Sequence, residues 1–341
     1  MILVTGGTGL VGSHLLAELV KEKDKIRAIH RKSSDLNAVK HVFKYYYKNF
    51  DEKFNQIEWI EADLNDIPSL EKAFKSIDYV YHCAAIVSFN KKDYQAMRKT
   101  NIEGTANMVN LAIAHKIKKF GFVSSIATIE KNSKANKLIT EKNEWNKETN
   151  NYGYAITKYG AEMEVWRGTQ EGLDVFIVNP GVILGSGFWQ NGTGELFSKA
   201  FEQFPFYTEG ITGFVSVTDV AKAMTQLMQS NIKNERFILV SENWSFRELF
   251  FEMADAFNKK RPSIKVGKTL SNIAWRMEAV KSFITQKPPT ITKHSASASL
   301  SKYAYDNSKI KKTLAFEFEP LEETITKVCT DFIQDKKEKN G

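Results

Sequence analysis

Short apolar runs recur along the first half of the chain at Ile2–Val4, Ile26–Ile29, Ile57–Ile60, Tyr79–Cys83, Phe120–Val123 and Val175–Val178. Each has the length of a strand and lacks the polar alternation of a half-solvated one, so each is expected to be buried on both faces. Amphipathic stretches with helical spacing lie between them, as at Ser69–Lys75, Ala106–His115 and Tyr154–Gln170. Strands alternating with helices predict an α/β chain with a parallel, doubly wound sheet. Past residue 180 the pattern loosens. Gly181–Gly194 carries five glycines and reads as loop, Phe214–Met228 as strand then helix, and Arg236–Val240 as strand. Ser245–Ala256 and Ser271–Phe283 read as helices, and the Pro/Ser/Thr-rich stretch 287–301 as irregular. The expected division is a nucleotide-binding part over 1–180, joined again by 214–240, and a smaller interleaved substrate lobe over 181–213 and 241–335.

The first run leads directly into Thr5-Gly6-Gly7-Thr8-Gly9-Leu10-Val11-Gly12, and a helical pattern follows. A strand, a glycine loop and a helix N-terminus form a Rossmann-type site for a dinucleotide pyrophosphate. The glycines suit a turn, a close backbone approach to phosphate and close helix packing. The second run ends His30-Arg31-Lys32. A carboxylate there would bind a free ribose, whereas a guanidinium fits a ribose 2′-phosphate. The expected cofactor is therefore NADP, with NAD as the alternative.

Composition narrows the class. In 341 residues no apolar stretch reaches the ~18 needed for a membrane span. The first strand begins at Ile2, so no signal peptide is expected. The two cysteines, Cys83 and Cys329, lie far apart. That spacing fits a reduced cytoplasmic protein with no disulfide and no metal site. The net charge of +8 is scattered; it suits an anionic ligand and does not require nucleic acid. The insert Leu36–Gln56 carries Tyr45-Tyr46-Tyr47 among lysines. A surface helix with its aromatic side packed down is favoured over a base-stacking platform.

Candidate chemistry centres on Tyr154 and Lys158, which share a helix face at i and i+4. An ammonium beside a phenol favours the phenolate, so Lys158 is expected to lower the Tyr154 pKa and fit it for proton exchange with an alcohol or carbonyl. Ser124 and Ser125 end the run Phe120–Val123, at the carboxyl edge where open α/β sheets bind ligands. Ser125 is placed to hydrogen-bond a reacting oxygen. Neither serine lies in a nucleophile elbow, so hydrolase chemistry is disfavoured.

Taken together these residues resemble the extended short-chain dehydrogenase/reductase family, and dihydroflavonol-reductase-type members most closely. The likeness spans nearly the whole chain. Thr5–Gly12 resembles the family's glycine loop, Ala62-Asp63-Leu64 its adenine-contacting stretch, and His82-Cys83-Ala84-Ala85 the turn beside the phosphates. Thr100–Thr105, with Asn101, resembles a helix start, and Phe214–Ala221 a later strand. The resemblance implies a catalytic set of Ser125, Tyr154 and Lys158, with further cofactor contacts from Ser124, Asn179, Pro180, Gly181 and Val182. It implies substrate contacts from Val87, Ser125, Thr128, Gly181, Phe188 and Trp189; Phe204, Phe206, Tyr207, Trp275 and Met277 are further aromatic or apolar candidates. The substrate would be a small carbonyl or alcohol compound, with no nucleic-acid or membrane partner. A homodimer would pair through Tyr94–Lys116 and Tyr154–Gln170. Ser216 stands where the family commonly has histidine. Ile126-Ala127 replaces the Asp-Glu pair of dehydratases, which removes the acid and base of β-elimination. Two alternatives are a nucleotide-sugar epimerase holding NAD tightly and a non-enzymatic dinucleotide-sensing scaffold.

Overall fold

The computed structural model describes residues 1–22, 25–130, 138–146, 152–285 and 292–340. The chain runs β1 (Ile2–Thr5), α1 (Leu10–Leu19), β2 (Ile26–His30), α2 (Leu36–Lys44), α3 (Phe50–Phe54), β3 (Ile57–Glu61), α4 (Ile67–Phe74), β4 (Tyr79–His82), α5 (Tyr94–Met97), α6 (Gly104–Ala114), β5 (Lys119–Val123), α7 (Gly153–Gln170) and β6 (Val175–Pro180). It continues β7 (Val182–Leu184), α8 (Gly194–Phe201), β8 (Phe206–Tyr207), β9 (Ile211–Ser216), α9 (Val217–Gln229), β10 (Glu235–Leu239), β11 (Glu242–Ser245), α10 (Phe246–Ala256), β12 (Ile264–Lys265), α11 (Lys268–Thr285), α12 (Lys293–Ala298), α13 (Ser308–Leu314) and α14 (Leu321–Asn340).

Seven strands form one parallel sheet in the order β10-β6-β5-β4-β1-β2-β3. The order reverses between β1 and β4, which opens a crevice at their carboxyl ends. Side chains alternate across β1. Ile2 and Val4 pack with Leu15, Leu16, Met224 and Leu227 from α1 and α9. Leu3 packs with Leu70, Phe74, Met108 and Val165 from α4, α6 and α7. Both faces are therefore dry, which explains the uninterrupted apolar runs. Two cations within strands donate to helix C-termini. Lys119 donates to Leu227 O at 2.5 Å and Ser230 O at 2.7 Å, and Arg27 to Ala73 O at 2.8 Å and Lys75 O at 2.7 Å.

The second half departs from its sequence reading at two places. Val182–Leu184 is a strand inside the stretch read as loop; with β9 and β11 it forms a three-stranded sheet. Its pairing to β9 supplies what three residues among glycines cannot signal. Within 287–301, Lys293–Ala298 is a capped helix, and residues 287–291 lie outside the described residues. Gly181 marks the crossing from the main sheet to the small one; a side chain there would run into the backbone of Gly213. A separate core joins α8, α10 and α14 through Phe197, Leu249, Met253, Ile325 and Phe332. The Phe332 ring lies 5.0 Å from Trp189, 5.1 Å from Phe201 and 5.3 Å from Phe257. Phe332→Ala is expected to destabilise the protein by about 3–5 kcal/mol, measured as a lower urea midpoint with unchanged slope.

The tyrosine insert packs inward. Tyr45 donates to Asp335 at 2.5 Å, Tyr46 lies 2.5 Å from His14 Nδ1, and Tyr47 donates to Ala17 O at 2.7 Å. With their hydroxyls engaged by the body of the protein, the rings are not an open stacking surface. No helix among the described residues is long and apolar enough to cross a membrane.

Candidate active site at the carboxyl edge of the sheet

The glycine loop is held between β4 and the first turn of α1. Gly6 has φ +68°, and a Cβ there would sit 2.6 Å from Ala84 N. Exposed Gly9 begins α1 without a side-chain cap. The N–H groups of the first turn have no intrahelical acceptors, so this end favours an anion. Gly7 and Gly12 are buried, whereas Thr8, Leu10 and Val11 are half-buried around the opening. Thr8 lies 3.5 Å from the Ser34 hydroxyl. Thr5 is turned away from the opening. Its hydroxyl lies 2.6 Å from His82 Nδ1, and His82 Nε2 lies 3.0 Å from Thr105. Burial holds the His82 pKa down to about 3, so its ring is neutral in this chain of hydrogen bonds.

At the β2 tip, Arg31 and Lys32 are exposed, and no hydrogen bond or ion pair engages the Arg31 guanidinium among the described residues. The His30 ring meets Trp59 edge-on at 6.0 Å. Asp63 shapes its own turn, accepting from Asn65 N at 2.9 Å, and Leu64 O accepts from Asn107 at 2.9 Å. Cys83, Ala84 and Ala85 are half-buried beyond β4, and Val87 is exposed. Asn101 sits in a π-helical turn, Arg98–Glu103, between α5 and α6. It grips Ile86 N at 2.8 Å and Ile86 O at 3.0 Å, and reaches Thr157 at 3.1 Å. It thus braces the segment after β4 against α7. Such turns are often found at functional sites.

Ser125, Tyr154 and Lys158 come together where β5 and α7 meet. The Ser125 hydroxyl accepts from Ala127 N at 3.1 Å and is hydrogen-bonded to Tyr154. Serving as a turn cap therefore does not prevent it from meeting the phenol. Lys158 is buried and donates to Val123 O at 2.6 Å, with its ammonium 4.3 Å from the centre of the Phe122 ring. Burial lowers its pKa to about 8, opposed by the charge of Glu162 and, more weakly, by Cys83.

The expected depression of Tyr154 is not found. Burial raises its pKa to about 12, and the Ser125 hydrogen bond only partly opposes that. The physical reason is that the ammonium bonds to the β5 carbonyl and sits over the Phe122 ring.

Several residues expected to touch ligand are committed elsewhere. Ser124 donates to Glu162 at 2.5 Å. Thr128 is fully buried, within reach of Ser125 O at 2.9 Å and Glu162 at 2.8 Å, so it does not line the opening. Asn179 is also fully buried; its amide reaches Ser125 O, Thr128 and Glu162 at 3.0–3.1 Å. Pro180 is buried at the end of β6, while Gly181 and Val182 are half-buried beyond it. Trp189 points into the α14 core and donates to Asp335 at 2.6 Å, so the site does not gain its ring. Phe188 is half-buried. Phe204 packs on Phe206, and Tyr207 on Phe251. Trp275 and Met277 lie on α11.

A different aromatic, Tyr152, lies beside the phenol and carries two further rings with it. Tyr152 lies 6.1 Å from Tyr154, 5.4 Å from Phe89 and 5.9 Å from His294. Sequence reading also missed Glu162, although it falls one turn after Lys158 and two after Tyr154.

Residues 4–239 match the profile of the family described as Male sterility protein, an NAD-binding family. A putative dihydroflavonol 4-reductase of Synechocystis is 26% identical over 342 residues, covering 94% of this chain and 91% of the relative. The crystal structure of gox2253 superposes with TM-score 0.81 and 26% identity, covering 98% of each chain. UDP-glucose 4-epimerase from Thermotoga maritima, solved with UDP-glucose, shares the fold at TM-score 0.76 and 21% identity, over 98% of this chain and 99% of that one. With its seven-stranded parallel sheet and its match over most of its length, the chain belongs to this NAD-binding family of the extended short-chain dehydrogenase/reductase type, whose members are NAD(P)-dependent oxidoreductases.

Proposed function

We propose that this protein is an NADP-dependent reductase of small carbonyl compounds, working through Ser125, Tyr154 and Lys158. The observation that carries the reading is the Tyr154–Ser125 hydrogen bond, with buried Lys158 one turn further along α7. When bound, the nicotinamide would supply the hydride. Gly6, Gly7, Gly9 and Gly12 form a side-chain-free cradle at the α1 N-terminus that suits its pyrophosphate, and exposed Arg31 suits a 2′-phosphate. Ser125 orients the carbonyl oxygen. Tyr154 gives that oxygen its proton; with a pKa near 12 it carries one throughout the neutral range. Lys158 keeps positive charge beside the site. Phe89, Tyr152 and His294 suit a flat apolar substrate.

Consumption of NADPH on a panel of aldehydes, flavonols and ketosteroids is the expected result. Interconversion of UDP-sugars without net NADPH use would instead give the epimerase reading. Arg31→Ala is expected to weaken NADPH binding by roughly 10- to 150-fold, the scale of a hydrogen bond to a charged group, and to leave NADH binding unchanged. Equal losses for both cofactors in a calorimetric titration would reject the 2′-phosphate assignment.

A further inference from the structure

Glu162 is fully buried, where a lone carboxylate would be costly. The fold surrounds it with donors from several elements. One oxygen accepts from Ser124 at 2.5 Å and lies 2.8 Å from the Thr128 hydroxyl and 3.0 Å from the Asn179 amide. The other pairs with Arg236 of β10 at 3.1 Å and faces the Trp166 indole at 3.4 Å. Arg236 in turn holds the 138–146 segment through Glu141 O and Asn143 O. Two of these donors, Thr128 and Asn179, also fix Ser125. Thr128 N donates to Ser125 O at 3.1 Å, and the Thr128 hydroxyl and Asn179 amide reach the same carbonyl.

We propose that Glu162 is the positioning residue of the site: its carboxylate anchors the turn that presents Ser125 and, one turn along α7 from Lys158, sets a negative charge against that ammonium. The catalytic roles of Ser125 and Lys158 rest on the function proposed above, whereas the anchoring and the charge coupling do not. The titratable groups around Lys158 are His82 of β4, Cys83 just beyond it, and Tyr154 and Glu162 from its own helix; Arg236 stands behind Glu162. Burial pushes the Lys158 pKa down, and Glu162 is the largest influence acting against it. Removing the negative charge therefore lets Lys158 lose its proton at lower pH.

The test compares Glu162→Gln, which keeps the shape and removes the charge, with Glu162→Asp, which keeps the charge and withdraws the carboxylate by one methylene. The Lys158 titration is followed without turnover, by nuclear magnetic resonance of the lysine ε-carbon, assigned by its loss in Lys158→Met. The midpoint is expected near 8 in the parent protein and lower by roughly one pH unit in Glu162→Gln, with Glu162→Asp close to the parent. The basic limb of kcat against pH is expected to follow it. Glu162→Asp is expected to lower kcat about tenfold at every pH because Ser125 is displaced. An unmoved midpoint in Glu162→Gln overturns the charge coupling, and an unchanged kcat in Glu162→Asp overturns the anchoring. If Glu162→Gln does not fold, Glu162→Asp decides alone, with kcat within twofold of the parent counting against the proposal. A midpoint that moves in a protein reducing none of the carbonyls would support the coupling and reject the proposed reaction.

Discussion

Tyr154→Phe is expected to lower kcat for NADPH-dependent carbonyl reduction by roughly 10²–10⁴, the span usual for loss of a positioned general acid. The substitution keeps the ring and its neighbours Tyr152 and Ser125 and removes only the hydroxyl. Cofactor affinity and the unfolding midpoint are expected to change little, because no other hydrogen bond of that hydroxyl is found among the described residues. The pH profile carries the sign of the argument. A phenol with a pKa near 12 is protonated at neutral pH, so it can act as an acid without adjustment and stops doing so only as pH rises through that value. A fall in reduction rate near pH 8 therefore reports Lys158, whose pKa lies there, and not Tyr154. The reverse reaction needs the phenolate, so alcohol oxidation is expected to climb with pH over the same range. Steady-state rates in both directions, with bound cofactor measured separately, check each statement. Turnover within threefold of the parent would remove Tyr154 from proton transfer.

The strands of the main sheet were legible because both faces are covered, leaving apolar runs such as Val175–Val178 without polar interruption. The glycine loop was legible because its backbone needs no side chain to announce it. β7 was not, because three residues among glycines become a strand only through pairing with β9. The meeting of Ser125 with Tyr154, one turn before Lys158, was read from spacing along α7 and the end of β5. The direction of the tyrosine shift was not, because it depends on burial and on where the Lys158 ammonium bonds, and both are tertiary. Glu162 illustrates the same limit. A single acid on a helix resembles a solvated position, and only donors from β5, β6 and β10 make it buried. Thr128 and Asn179, expected to touch ligand, lie beside Ser125 but turn towards Glu162. Trp189 failed differently: the α14 core offered it both ring partners and an acceptor in Asp335.

Gly12→Ala is expected to damage both folding and cofactor binding, because nothing near it can give way. A Cβ at Gly12 would fall within van der Waals contact of Gly6 O, 2.6 Å from Gly6 C and 2.8 Å from Gly7 Cα, all of them backbone. The loop cannot retreat either, since Gly6 already approaches Ala84 on its other side. The extra methyl therefore either moves α1 away from the loop or breaks the loop conformation, and overpacking of this kind costs about 1–3 kcal/mol. Because on the proposed function the first turn of α1 and the loop together hold the pyrophosphate, either movement is expected to weaken NADPH binding at least about tenfold, as 1.4 kcal/mol of lost interaction would. Gly9→Ala is the informative contrast. Its Cβ would meet only Gly6 O at 3.5 Å, an ordinary contact, and Gly9 is exposed at the start of α1. That variant is expected to keep its unfolding midpoint and lose affinity for the dinucleotide alone. Thermal unfolding without ligand, set beside calorimetric titration with NADPH, separates the two positions. Parent-like behaviour of Gly12→Ala in both measurements would contradict the close packing of loop against helix on which the cofactor cradle depends.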